Sequence, residues 1–283
     1  MATALTSIRE IERELTSLRV EPGTDTPYQR TSVMTHTAWV PPEWVEAAED
    51  VLKGLAERHP SRTVVLLPRP DDDDGLDGDV QVECFPSGEG RQVCTETIRI
   101  RLKGKRSAAP ASVVQPLLLP DLPAFLRWRG LPPYGAPEFE GLIDVVDRLV
   151  VDSTEWPDLP GSYDGLTQIF DRVAVSDIAW ARTSRWRPML ASLWPDIAGV
   201  QRIRVTGTDA QAHLLAGWLR SRLKHPVELE HEQSDRLVGV ELDGGPAPFP
   251  PGDPPSGADV LSEELDKYGR DRIYEAAVKS ALP

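Results

Sequence analysis

The sequence is poor in the residues that metal and nucleophile chemistry recruit. Its 283 residues include two cysteines, Cys84 and Cys94, and five histidines. The histidines, at positions 36, 59, 213, 225 and 231, have no metal-ligand spacing, and two cysteines across a turn cannot complete a zinc site alone. So few cysteines also exclude a disulfide framework, and a reducing compartment is the default. No Walker loop or dinucleotide fingerprint joins a strand to a helix, so nucleotide phosphates lack their usual cradle. The lone glycine of VTGTDAQ is weak evidence for one. No serine sits in a nucleophile-elbow pattern. The N-terminal stretch MATALTSIREIEREL carries charges through its apolar positions, so it reads neither as a signal core nor as a membrane span, and a cytoplasmic protein is expected.

Positive charge is the minority sign. With 45 acidic against 31 basic residues and a formal net charge of −14, non-specific binding to nucleic acid or anionic lipid is unfavourable over most of the surface. Neither nucleic acid nor membrane is an expected partner. No catalytic residue, cofactor or metal site is assigned from the residues.

What the chain does have is 40% apolar residues, enough for a sizeable core in one large domain or two modest ones, and 27 prolines, which make many connections irregular. Leu5, Ile8, Ile11, Leu15 and Leu18 fall at helical spacing. RTSVMTHTAWV, from Arg30 to Val40, reads as a strand. Pro41-Pro42 opens a helix carrying Trp44, Val45, Ala48, Val51, Leu52 and Leu55 as far as His59-Pro60. RTVVLLP then reads as a strand covered on both faces. That β-α-β order favours a parallel pair. The run Asp71 to Asp74 is read as a solvated loop, with a metal site as the weaker alternative.

VQVEC and QVCTETIRIRL form a predicted hairpin, and a turn centred on Glu89 sets Cys84 opposite Cys94 with both thiols inward. The pair is then either two reduced core cysteines or a cross-strand pair able to oxidise. Glu96 shares the inward face, and an inward carboxylate needs a partner or a raised pKa, so a buried hydrogen bond or salt bridge is expected there. PLLLPDLPAFLRWRG follows: its three prolines confine helix, and a strand is predicted from Leu122 to Trp128. RLVVDS is a further strand, and Asp152, in the acidic segment after it, is read as capping chemistry beside a helix N-terminus or as part of a ligand site.

SDIAWARTSRWRPMLASLW is predicted to be one helix kinked near Arg187 by Pro188. QRIRVTG is a strand, Thr208 to Gln211 has the form of a capping box, and PVELEHE and RLVGVEL are predicted to pair as a hairpin across Gln233-Ser234-Asp235. The closing helical stretch breaks near Gly269. Together these elements predict an α/β chain. It has a mixed, partly parallel sheet with flanking helices in a domain of residues 1–174, and a smaller α+β subdomain over 175–283.

Two places mix arginine with tryptophan: Arg127, Trp128 and Arg129, and Arg182, Arg185, Trp186 and Arg187, with Trp180 and Trp194 alongside the second. These side chains dominate binding hot spots, so both are candidate partner-binding surfaces. The alternative is that the indoles are core and the arginines pair with the abundant carboxylates.

PLLLPDLPAFLRWRG, DIAWARTSRWRPMLASL, LLAGWLRSRL, the hairpin ending QVCTETIRI and the closing EEL helix resemble the OpcA family, the glucose-6-phosphate dehydrogenase assembly proteins of actinobacteria and cyanobacteria. The resemblance extends over nearly the whole chain. It implies a protein without catalytic chemistry that promotes assembly or allosteric activation of that dehydrogenase, and, in the cyanobacterial branch, an association with redox control of the kind Cys84 and Cys94 could serve. Arg127 departs from the aromatic or aliphatic residue expected there, and the DDDD loop and the proline-rich 246–255 segment look particular to this chain. Two other functions stay open. One is a sensor of sugar phosphate or NADP through Arg127, Arg129 and Arg182. The other is an enzyme with a pocket lined by Glu96, His36 or Asp152.

Overall fold

A computed structural model describes residues 5–18, 32–56, 60–86, 92–252 and 257–283. The chain divides into two compact units, Met1–Leu149 and Val150–Pro283.

The first unit opens with helix α1 (Ile8–Leu18), whose Ile11 and Leu15 are buried. Strand β1 (Met34–Trp39) follows, then a 3-10 turn over Pro42–Trp44 that leads into α2 (Val45–Ala56), and β2 (Ser61–Arg69). Residues 57–59 of the predicted helix lie outside the described residues. β3 (Gly75–Pro86) and β4 (Gln92–Lys103) pair antiparallel in the predicted register, with Cys84 opposite Cys94. Short α3 (Ala111–Val114), β5 (Ala124–Trp128) and α4 (Pro137–Ile143) complete the unit, whose boundary falls within β6 (Arg148–Val151). β5 starts two residues later than predicted, because Pro123 has no amide to give a ladder.

These strands form a mixed sheet in the order β3-β4-β2-β1-β5. Only the β3–β4 pair among these five is antiparallel; β4–β2, β2–β1 and β1–β5 are parallel. β1 and β5 are buried along their whole length and β2 along all but its last residue, as parallel strands covered on both faces should be. α2 sets Ala48, with Trp44 and Val45, on Ala38, Val40, Val65 and Leu67. α1 crosses β3 closely: a Cβ on Gly78 would come within 2.8 Å of the tip of the Ile11 side chain, which would have to move aside.

The second unit contains α5 (Tyr163–Ile169), β7 (Ala174–Asp177), α6 (Ile178–Ala181), α7 (Trp186–Ala191), β8 (Arg202–Gly207) and α8 (Asp209–Leu223). After them come β9 (Glu228–Gln233), β10 (Gly239–Leu242), β11 (Gly245–Pro246), α9 (Gly257–Leu265) and α10 (Arg272–Ala281). The predicted capping box is present: Gln211 N donates to Thr208 Oγ1 at 3.3 Å and Thr208 N to Gln211 Oε1 at 3.1 Å.

Two predictions fail here. The expected β9–β10 hairpin does not form; the four-stranded sheet has the order β11-β10-β8-β9, with β8 parallel to β9 and antiparallel to β10. The β8-α8-β9 crossover takes one side of β8 and leaves the other to β10. The single kinked helix is instead two short ones. α6 ends after one turn, where Thr183 Oγ1 donates back to the Trp180 carbonyl at 2.7 Å. Pro188 falls in the first turn of α7, where an amide donor is not needed. Among the described residues, no helix is long and apolar enough to cross a membrane.

Candidate protein-interaction site

In the first unit, register decides the fate of the tryptophan on β5. Trp39 and Trp128 are ladder neighbours, and their rings stack with centroids 4.7 Å apart and 8° between planes. Phe139 meets Trp128 edge-on at 5.2 Å and Tyr134 meets Phe139 in the same way at 5.3 Å. Such contacts bind aromatic rings more tightly than area alone. Trp128 is therefore core, 3% exposed, and so is Arg127, whose guanidinium donates to the Trp128 carbonyl. Only Arg129 of the three reaches the surface, where it lies 5.7 Å from the Trp44 ring centroid and donates to the Ala47 carbonyl at 3.5 Å.

Glu96, buried on β4, accepts Arg62 Nε at 2.8 Å, and Arg62 Nη1 donates to the Leu117 carbonyl at 2.9 Å. Cys84 and Cys94 are joined by a disulfide, which replaces the reading of two reduced core thiols. Cys84 is exposed and Cys94 buried, and the bond sets both sulfurs on one face of the hairpin. β2 begins pairing with β4 only at Glu96, which leaves the cysteine end of the hairpin outside the parallel sheet.

In the second unit a carboxylate is buried without a cation. Asp177 ends β7 and caps α6. Its Oδ1 accepts Ala179 N at 2.8 Å and Ser153 N at 3.1 Å, and its Oδ2 accepts Ser153 Oγ at 2.7 Å and the Tyr274 hydroxyl at 3.1 Å. The Tyr163 hydroxyl donates to Ser153 Oγ at 3.2 Å. Burial, with the nearby charge of Asp152, pushes Asp177 up to about 6 against the opposing pull of these hydrogen bonds. Burial and then the Asp177 charge raise the Tyr163 phenol well above its ordinary range. Every one of these partners belongs to a helix, strand or turn end, so the network joins elements. Asp152 likewise acts as a cap: its Oδ1 takes Thr154 N at 3.2 Å, while Oδ2 takes Arg182 at 3.3 Å.

The remaining arginines follow α6 and α7. The Arg187 guanidinium lies 3.6 Å from the Trp180 ring centroid, and burial lowers it to about 10 against the pull of Asp271 and Glu264. Trp180 Nε1 donates to Asp271 at 2.9 Å. Trp186 is 5% exposed and meets the Phe249 ring edge-on at 5.4 Å. Arg185 turns outward from α7 and donates to the main-chain carbonyls of Pro250 and Pro251, at 2.8 and 2.6 Å, and of Gly252. Beyond these, Trp194 and Phe249 are 67% and 64% exposed.

The candidate residues are thus sorted by depth. Trp128, Trp186 and Arg127 are interior; Arg182 and Arg187 are half-buried on Asp152 and Trp180; Arg129 and Arg185 reach solvent at aromatic rims. Sequence reasoning missed Phe249, whose one signal was an aromatic residue inside a proline run. Two open clefts, of about 640 Å³ beside Asp74, Asp77, Lys103 and Lys105 and about 670 Å³ beside Arg220, Lys224 and His225, include neither Glu96 nor Asp177. This arrangement supplies apolar area and directional donors at the surface of the second unit, which is what a protein partner needs.

Two family profiles match in succession. One describes the N-terminal domain of the glucose-6-phosphate dehydrogenase subunit and matches residues 53–168; the other describes the C-terminal domain of the same subunit and matches residues 173–248. The chain is 26% identical over 191 residues to the OxPP cycle protein OpcA of Synechocystis sp., covering 63% of this chain and 40% of that protein. It is 25% identical over 194 residues to the protein of that name from Nostoc punctiforme, covering 64% and 42%. With that of Synechococcus elongatus the identity is 26% over 227 residues, covering 71% and 50%. The chain spans about half the length of these relatives, or less.

Proposed function

Because the chain belongs to the OpcA family of glucose-6-phosphate dehydrogenase subunits, we propose that it is a non-catalytic assembly factor that binds glucose-6-phosphate dehydrogenase and promotes its active oligomer in the oxidative pentose phosphate pathway. The observation that carries this reading is the pair of consecutive family matches over residues 53–168 and 173–248. The side chains agree with it. Glu96 and Asp177 are held by hydrogen bonds that tie structural elements together, whereas Arg185, Trp194 and Phe249 in the second unit reach solvent. Activation would arise from tighter binding to one state of the dehydrogenase than to another, which shifts its population by the ratio of the two affinities. The setting is the cytoplasm, and the functional division lies between residues 174 and 175.

The test is to mix the full chain with the dehydrogenase of the same genome and read co-elution, oligomer size and initial rate. A joint peak with a raised rate is expected. Arg129→Ala and Trp194→Ala, which remove solvent-facing groups at little cost to the fold, report which unit supplies contacts. Separate peaks and an unchanged rate at micromolar concentrations would remove the reading.

A further inference from the structure

The short segment Phe249–Gly252 lies on α7 as a bound peptide would. One guanidinium, that of Arg185, donates to three successive main-chain carbonyls: Pro250 at 2.8 Å, Pro251 through Nη2 at 2.6 Å and Nε at 3.2 Å, and Gly252. In a chain with 45 acidic residues, Arg185 forms no ion pair with any described carboxylate. The ring of Phe249 stands at 78° to the Trp186 indole, and Pro250 is buried although Phe249 and Pro251 on either side are exposed. Gly252 has φ +83, a conformation that strains any residue with a Cβ. Among the described residues, no backbone-to-backbone hydrogen bond holds 248–252 after Ala247 N donates to the Val240 carbonyl at 2.8 Å. The hydrogen bonds that fasten the segment therefore come from the Arg185 side chain at the start of α7.

Three successive carbonyls meeting one guanidinium, with bends at 251 and 252, make this a curved proline turn whose carbonyls face one side. Prolines at 250 and 251 fix φ and lack amide donors, so less ordering entropy is lost on binding and the receptor must supply donors and an aromatic wall. Arg185 and Trp186 supply both. We propose that the Arg185–Trp186 face is a receptor for a curved Phe-Pro-Pro-Gly segment of a partner protein, and that the chain's own Phe249–Gly252 occupies it as a displaceable strap. Partner binding there proceeds by exchange. Because a tethered segment acts at an effective concentration on the order of millimolar, the strap weakens binding in trans by the factor by which it fills the site. The proposal rests on the intramolecular contact and holds whether or not the partner is the dehydrogenase.

The test uses the full chain with residues 247–252 replaced by a glycine-serine linker of equal length, and a dye-labelled acetyl-Ala-Pro-Phe-Pro-Pro-Gly-amide peptide read by fluorescence anisotropy. The strap-replaced protein, shown folded by circular dichroism, is expected to bind the peptide at least tenfold more tightly than the wild type. Adding Arg185→Ala, or replacing the peptide phenylalanine by alanine, should abolish that binding. Gly252→Ala in the otherwise native chain, which strains only the strap, should raise peptide affinity above wild type, and it carries the test if the replaced chain fails to fold. Overturning results are a folded strap-replaced protein that ignores the peptide to millimolar concentration, binding indifferent to Arg185, or equal affinities for wild type and Gly252→Ala.

Discussion

Each unit buries a carboxylate almost completely, and the two are kept in opposite ways. Glu96, 2% exposed on the parallel sheet, takes a guanidinium, so the charge is balanced and the pair is held to the Leu117 carbonyl by a third group. Asp177, 0% exposed at the end of β7, has only neutral donors: two amides and two hydroxyls. Hydrogen bonds can hold a buried anion in place, but they leave its charge uncompensated, and the proton affinity of Asp177 rises accordingly. A cage of neutral donors therefore makes the Asp177 site sensitive to pH.

The largest effect that tests this contrast is at the ion pair. Glu96→Gln leaves Arg62 charged and buried without its counter-ion, a change worth about 3–5 kcal/mol in chemical denaturation. Removing both charges together, as Arg62→Met with Glu96→Leu, should cost much less. Equal losses in the single and double variants would show that packing, rather than charge balance, governs the site.

At Asp177 the sign follows from the raised pKa. The folded chain keeps its proton up to about 6, whereas the ordinary carboxyl releases it near 3.8, so the stabilisation is full below 3.8 and is lost as pH rises through 6. That interval corresponds to about 3 kcal/mol. Asp177→Asn cannot titrate, so the stability of wild type relative to the variant should fall by about that amount between pH 4 and pH 7. A difference that stays flat with pH would erase the distinction between the two carboxylates.

Smaller changes sharpen the comparison by showing what ordinary polar contacts contribute. Thr208→Ala removes one half of the capping box on α8 and should cost about 1 kcal/mol in thermal or urea unfolding, independent of pH across the Asp177 interval. Arg204→Ala, which breaks an exposed pair with Glu232 3.0 Å away, should leave the unfolding midpoint within error at physiological salt. A large loss there would mean that the charged face of the second sheet is part of a cooperative network.

The parts of the fold that were legible in the sequence are those fixed by local pattern. The parallel β1–β2 pair, the hairpin register that sets Cys84 against Cys94, the Thr208 cap and the need for a partner at Glu96 all follow from alternation, turn position or a three-residue spacing. The arginine and tryptophan clusters were legible as clusters only. Trp128 and Trp186 share the same local composition of flanking arginines as any exposed hot spot. Trp128 stacks on Trp39 one strand away and Trp186 meets Phe249, 63 residues later along the chain, and no window of sequence contains either contact.

By itself, then, the amino-acid order dictated most helices and strands and the α8 cap, because those depend on neighbours within a few residues, though not the break between α6 and α7. Tertiary structure alone decided that β8 separates β9 from β10, that the cysteines bond at the uncovered end of a hairpin, that Asp177 is caged without a cation, and that Arg185 holds a proline segment. Each of those outcomes depends on which distant surface arrives at a given place, and that is set by the joint packing of the core.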